Sequence, residues 1–146
     1  MNPDPAPTIH SLKVRAVDVP MHRPLKTGGG EVATAAMVLI DLLTEEGITG
    51  SSYLFCPTSL VLEPVARLVS NLAPLIEGDP LAPVAIEQRL QKTFRLLGPQ
   101  GLVAMATAGI DMAAWDAWRR PARCPWCGYW AASRARSPPT TAAGWV

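Results

Sequence analysis

Three small constellations in this 146-residue chain have residue types and spacings that could do chemistry. Asp111 and Asp116 are a carboxylate pair of the kind general acid–base catalysis uses, but five residues on a helix turn the second side chain about 140° from the first. They do not share a face, so no acid–base dyad is expected. Asp116 instead has Arg119 and Arg120 at the helical spacings that favour ion pairs. Cys124 and Cys127 have the two-residue gap of a zinc site or a redox pair. A structural zinc takes four ligands, however, and only His10, His22 and Cys56 remain, all remote in sequence. The three cysteines therefore predict neither a metal centre nor a disulfide framework. Gly28, Gly29 and Gly30 would suit a phosphate cradle if Lys-Ser/Thr and a helix start came next, and they do not.

The elements that must position these residues follow from hydrophobic period. Residues 1–8 hold three prolines and read as a flexible lead-in. Leu12, Val14 and Ala16 alternate with Ser11, Lys13 and Arg15, which predicts a strand from Ile9 to about Val19, ended by Pro20. The stretch from Met21 to Glu31, with Pro24 and three glycines, reads as a mobile loop. Ala36 to Leu43 is a continuous apolar run, the pattern of a strand covered on both faces. A turn at Glu45, Glu46 and Gly47 then leads to a third strand, Ile48 to Phe55, closing an antiparallel meander.

Helices follow the sheet. Val65, Leu68, Val69, Leu72 and Ile76 fall at helical spacing, with Pro64 in the first turn and Gly78-Asp79-Pro80 as the stop. Pro83 suits the start of a second helix, whose inner face is Ile86, Leu90, Phe94 and Leu97 and whose end is Gly98-Pro99. Gly101 to Ala117 is apolar on almost every face, which predicts a fully buried third helix. Its small residues Ala104, Ala106, Ala108, Gly109, Ala113 and Ala114 let neighbours approach the backbone closely. The fold class is α+β: a three-stranded meander followed by a three-helix bundle.

Composition bounds the function classes. With 49% hydrophobic and 17% charged residues the chain can build one core. A net charge of +1 gives no electrostatic case for nucleic acid or an anionic membrane as partner. The first residues lack the basic and apolar regions of a signal peptide, and no apolar run reaches the roughly 18 residues of a membrane span, so a cytoplasmic protein is expected.

Three stretches carry a family resemblance. VLIDLLTEEGITGSSYLF, GDPLAPVAIEQRLQKTF and AGIDMAAWDA resemble the N-terminal capping domain of the mandelate racemase and muconate lactonizing group within the enolase superfamily. The resemblance spans residues 9–117. It implies an enzyme, racemase or acid-sugar dehydratase, that abstracts the proton α to a carboxylate with Mg²⁺ as cofactor and a small carboxylic acid as substrate. The reacting groups of that family lie on a (β/α)₈ barrel of about 200 residues or more, so no catalytic or metal-ligating residue of this chain is implied. What carries over is a lid between the first two strands, with Leu25 and Val32 as apolar wall positions and His22 and Lys26 as polar neighbours. Pro57 stands where mandelate racemase has a tyrosine, which argues against an aryl substrate.

Residues 118–146 depart from that pattern. They are rich in Trp, Arg and Pro and show no helical or strand period. Read one base earlier, the codons for Cys124 to Ala132 allow LPLVRLLGG, which resembles the family segment leading from capping domain to barrel. The tail therefore reads as a frameshift product, and the chain as a capping domain without its barrel, inactive alone and open to self-association through uncovered apolar faces. The alternative is a stand-alone binding or assembly module.

Overall fold

A computed structural model of the chain describes residues 6–120, so the Cys124/Cys127 pair and nearly all of the proposed frameshifted tail lie outside the described residues. Three strands, β1 (Ile9–Thr27), β2 (Gly30–Thr44) and β3 (Thr49–Cys56), form one antiparallel sheet in the order β1-β2-β3. Three helices follow, α1 (Leu62–Leu72), α2 (Pro83–Thr93) and α3 (Leu102–Arg119), with single 3₁₀ turns at Ser59–Val61 and Ala73–Leu75. The α+β meander-plus-helices reading holds. Pro64 lies in the first turn of α1, and Pro83 opens α2 at a position that needs no N–H partner.

Helices α1 and α3 pack on the same face of the sheet, and α2 packs against α3, all sharing one core. Ala36, Val38, Ile40 and Leu42 of β2, with Leu54 and Cys56 of β3, meet Val65 and Val69 of α1, Ile86 and Leu90 of α2, and Ala106, Ile110, Ala113 and Ala114 of α3. This corrects the expectation that β2 is covered on both faces. Met37, Leu39 and Leu43 on its other side are only half-buried, and their neighbours Tyr53 and Phe55 are exposed. The continuous apolar run reflects a second face that the described residues leave uncovered.

Four further expectations are corrected. The segment after Pro20 is not a loop: β1 continues to Thr27 and pairs with β2 from Gly30, so the two strands extend beyond the core as a hairpin arm. Proline is tolerated because β1 is an edge strand, and the pairing breaks between Pro20 and Leu25, where Pro24 falls. Gly28 and Gly29 make the turn, and the Thr27 hydroxyl donates to the Gly30 carbonyl at 2.8 Å. Residues 6–8 are not loose either: Leu81 N–H donates to the Pro7 carbonyl at 2.6 Å, and Glu45 N–H to that of Thr8 at 2.9 Å. Leu97 is exposed and outside α2, because the chain turns at Phe94, whose carbonyl accepts from Gly98 N–H at 2.8 Å. Finally, α3 is buried on one face only. Met112, Trp115 and Trp118 are exposed on the other, and the helix runs past Ala117 to Arg119.

The inner face of α3 lies almost on the backbone of β3. A Cβ at Gly50 would overlap the Ala113 carbonyl and sit 2.5 Å from the Ala117 nitrogen; one at Gly109 would sit 2.6 Å from Ile40 Cδ1. Two polar ties flank this contact. The Ser52 hydroxyl donates to the Gly109 carbonyl at 2.6 Å, and Ser51 N–H donates to Asp116 Oδ2 at 3.0 Å. Asp116 also accepts from Arg119 Nε at 2.9 Å and Arg120 Nε at 3.0 Å, the helical ion pairs its spacing implied. Burial raises the Asp116 carboxyl, but the Ser51 amide and then Arg120 and Arg119 outweigh it and hold it down at about 2.

Gly50→Ala meets backbone and is expected to destabilise the fold by about 3 kcal/mol. Gly109→Ala meets side-chain ends and regains about 1 kcal/mol of helix propensity, so it should cost less. Urea unfolding of both variants checks the order, and equal or reversed losses would count against the close contact. Asp116→Asn should lower stability at pH 7 by roughly 1–2 kcal/mol. Because the folded carboxyl is depressed from 3.8 to about 2, the difference between wild type and variant should hold above pH 3.8 and shrink as pH falls toward 2. Melting curves across that range test this, and a pH-independent difference would refute it.

Candidate functional site

Two regions outside the core gather groups that could meet a ligand or a neighbour. The first is the hairpin arm. Its outer part is a short regular ladder, Leu25 opposite Val32, Lys26 opposite Glu31 and Thr27 opposite Gly30. Leu25 and Val32 are thus cross-strand partners, a pairing that buries part of each against the other. Leu25 still exposes 52% of its surface. Lys26 faces the acidic Glu31 in the next pair, while His22 lies apart in the unpaired break between Pro20 and Leu25. The structure therefore pairs Leu25 with Val32 on one face of the arm, puts Lys26 with Glu31 on the other, and leaves His22 at the root of the arm.

Between the arm and the turn after β3 runs a cleft of about 200 Å³, bordered by Glu31, Val32, Thr34, Cys56, Thr58 and Ser59. Pro57 sits on its rim. The Cys56 thiol is buried, and that burial raises its pKa, which keeps it an unreactive thiol. Asp18, at the base of the arm, accepts a hydrogen bond from the Ser59 hydroxyl at 2.7 Å. That bond, with a second from Thr34, lowers its pKa against a small opposing effect of burial. Sequence reasoning missed Asp18, because its partner is 41 residues away and nothing local marks it.

The second region is the outer face of α3, where Met112, Trp115 and Trp118 border an open cleft of about 530 Å³ with Ser51 and Arg119. The two indoles meet edge to face, 5.6 Å between centroids and 79° between planes. Asp111 and Asp116 both touch this cleft but do not act as a pair. Asp116 is held by Ser51 and its two arginines, whereas burial first, and then the Glu87 carboxylate, raise Asp111 against a hydrogen bond from Trp115. Of the remaining histidine, His10 Nδ1 lies 2.8 Å from Glu45 Oε1 at the opposite end of the sheet. Among the described residues no three His, Cys, Asp or Glu side chains converge, so these residues do not build a divalent-metal site. No helix among them is long and apolar enough to cross a membrane.

This geometry has clear counterparts. Residues 9–127 match the family described as mandelate racemase/muconate lactonizing enzyme, N-terminal domain, a match that runs ten residues past Ala117. An enolase from Bradyrhizobium, solved in complex with magnesium and mandelic acid, is 42% identical over 84% of this chain and 34% of its own, with a TM-score of 0.76. A mandelate racemase/muconate lactonizing enzyme-like protein from Rubrobacter xylanophilus is 31% identical over 80% of this chain and 31% of its own, with a TM-score of 0.68. Muconate lactonizing enzyme from Pseudomonas fluorescens, complexed with muconolactone, is 25% identical over 80% of this chain and 32% of its own, with a TM-score of 0.71. The chain thus spans about a third of the length of the structures it matches. The stacking of α1, α2 and α3 on one side of a β1-β2-β3 meander is the shared architecture, and the chain belongs to the mandelate racemase/muconate lactonizing enzyme family, whose N-terminal domain it carries.

Proposed function

We propose that this domain is the cap of an enzyme that removes the proton α to a carboxylate, a racemase or acid-sugar dehydratase, and that its arm forms part of the lid over the substrate. The observation that carries this reading is the Leu25–Val32 pair, an apolar cross-strand contact held out on the arm with half of Leu25 exposed. Such a pair can wall an apolar part of a substrate, with Lys26 and His22 as polar neighbours. The Bradyrhizobium relative holds mandelic acid, so aryl α-hydroxy acids belong in the substrate panel despite Pro57.

The reacting groups belong to another part of the enzyme. Magnesium, when bound there, would stabilise the negative charge developing on the substrate carboxylate as its α-proton leaves. The oxygen ligands that such a cation needs do not converge among the described residues, and beyond Asp116 the sequence contains no Asp, Glu, His or Lys. The exposed Met112 and Trp115 face is the surface on which a barrel would pack. Left bare, it gives the isolated chain a route to self-association. In the same reading the residues from Trp118 onward are encoded out of frame, and the lead into the barrel is the LPLVRLLGG readable one base earlier.

Two measurements test this. The purified chain should show no turnover with a panel of α-hydroxy and sugar acids plus Mg²⁺, and should sediment as dimers or larger species. Turnover above background would overturn the division of labour, and a strict monomer would argue against a bare docking face. The DNA around codon 118 is expected to open, after a single-base change, a frame of roughly 200 residues or more. Stop codons or unrelated sequence in every downstream frame would instead favour a stand-alone binding module.

A further inference from the structure

The arm is tied to the rest of the domain at one place outside the strand ladder. Asp18 stands on β1 opposite Ala36, just before the pairing breaks at Pro20. Its carboxylate accepts from the Ser59 hydroxyl, in the turn that follows β3, at 2.7 Å. One exposed carboxylate on the first limb thus joins the arm's base, itself paired to β2 at Ala36, to a segment that is 41 residues downstream. Farther out nothing bridges the two: the cleft of about 200 Å³ separates Glu31–Thr34 from Pro57–Ser59.

The mechanics follow from the ladder. From Leu25 to Val32 the arm is a paired unit, and the four residues 21–24 of β1 have no partner on β2. Bending is therefore concentrated in residues 21–24, where no ladder bond resists it. On the far side of the cleft, the Thr58 hydroxyl accepts from Leu60 N–H at 3.4 Å and starts the turn that enters α1, whose Leu62 and Val65 are core residues. The turn is thereby anchored in the core, and Asp18 passes that anchorage to the base of the arm.

We infer that Asp18 is a positioning residue that ties the base of the arm to the Pro57–Val61 turn, so that the turn and the arm's base form one fixed border of the cleft while the outer arm bends about residues 21–24. The inference rests on the lid reading for its use, but the coupling itself is a property of this chain. It gives the lid one fixed wall, Pro57 to Ser59 on the turn, and one that bends, Val32 on the arm.

Amide hydrogen exchange on the full 146-residue chain tests this, comparing wild type with Asp18→Ala, Asp18→Asn, Ser59→Ala and the Asp18→Ala/Ser59→Ala double variant. Asp18 is exposed, so these changes leave the core intact. Losing the bond should speed exchange roughly tenfold in both the base of the arm around Asp18 and residues 58–61, while Val38 and Leu54 keep wild-type rates. The double variant should be no faster than either single one, and Asp18→Asn, which keeps an acceptor oxygen, should fall between wild type and Ala. Acceleration in one of these two segments only, additive effects in the double variant, or acceleration reaching Val38 and Leu54 would each overturn the coupling. Exchange is read without substrate, so the lid reading fails on a different result: an unchanged substrate preference when Val32 is replaced in the whole, active enzyme.

Discussion

The rest of the structure depends on how closely α3 approaches β3. Gly50 and Gly109 each lack room for a methyl group, and Ala106, Ala113, Ala114 and Ala117 are fully buried around them. At that distance the helix backbone, rather than its side chains, packs on the strand, so branched residues elsewhere must fill the remaining space. Ile40, Leu54 and Ile110 do so. Helix and strand then use their polar groups on each other: Ser52 on the Gly109 carbonyl and Asp116 on the Ser51 amide. The Asp116 bond satisfies an N–H on an edge strand, so one contact sets the position of α3 and also blunts an exposed sheet edge.

With α3 seated, α1 buries its apolar stripe beside it on the same side of the sheet, and α2 buries its own against α3. This explains both leftover surfaces. The open side of the sheet keeps Met37, Leu39, Tyr53 and Phe55 partly or largely in solvent, and the outer side of α3 keeps Met112, Trp115 and Trp118 there. A helix whose inner face is almost all Ala and Gly has its bulky residues on the outside, the reverse of a surface helix packed on one core. Such a helix fits between two layers. The length of the solved relatives, about three times the part this chain matches, is consistent with a second layer.

Much of this was legible in the sequence, and the exceptions share a cause. The alternation in β1, the Glu45-Glu46-Gly47 turn, and the prolines at the starts of α1 and α2 are local signals, and the local structure obeys them. The arm was misread because Pro20, Pro24 and three glycines count against a strand only where every N–H is needed. On an edge strand, with a break in pairing between the prolines, they do not. The full burial assigned to α3 and to both faces of β2 failed for another reason: apolar residues on the outer side of α3 and the open side of β2 have no covering element among the described residues, and residue type alone does not record that. Among the proposed lid positions, Leu25 and Val32 are direct cross-strand partners. Asp18 gave no signal, since an exposed aspartate in a strand becomes notable only when a distant serine is seen to donate to it.

The separation between core and arm has a consequence for how such a domain can change. From Pro20 to Ala35 no residue is buried, whereas the core begins at once with Ala36 and alternates from there along β2. Substitutions at exposed positions away from caps and buried networks usually shift stability by less than about 0.5 kcal/mol. Those beneath α3 cost several times more, because every neighbour there is already in contact. On the proposed reading, the residues that touch substrate are thus the ones that fold stability constrains least. What limits them is the hairpin itself: the turn at Gly28-Gly29, the Leu25–Val32 contact that keeps the outer ladder paired, and the Asp18 carboxylate at its root. New side chains can be tried at positions 22, 25, 26 and 32 while those three hold the arm in place.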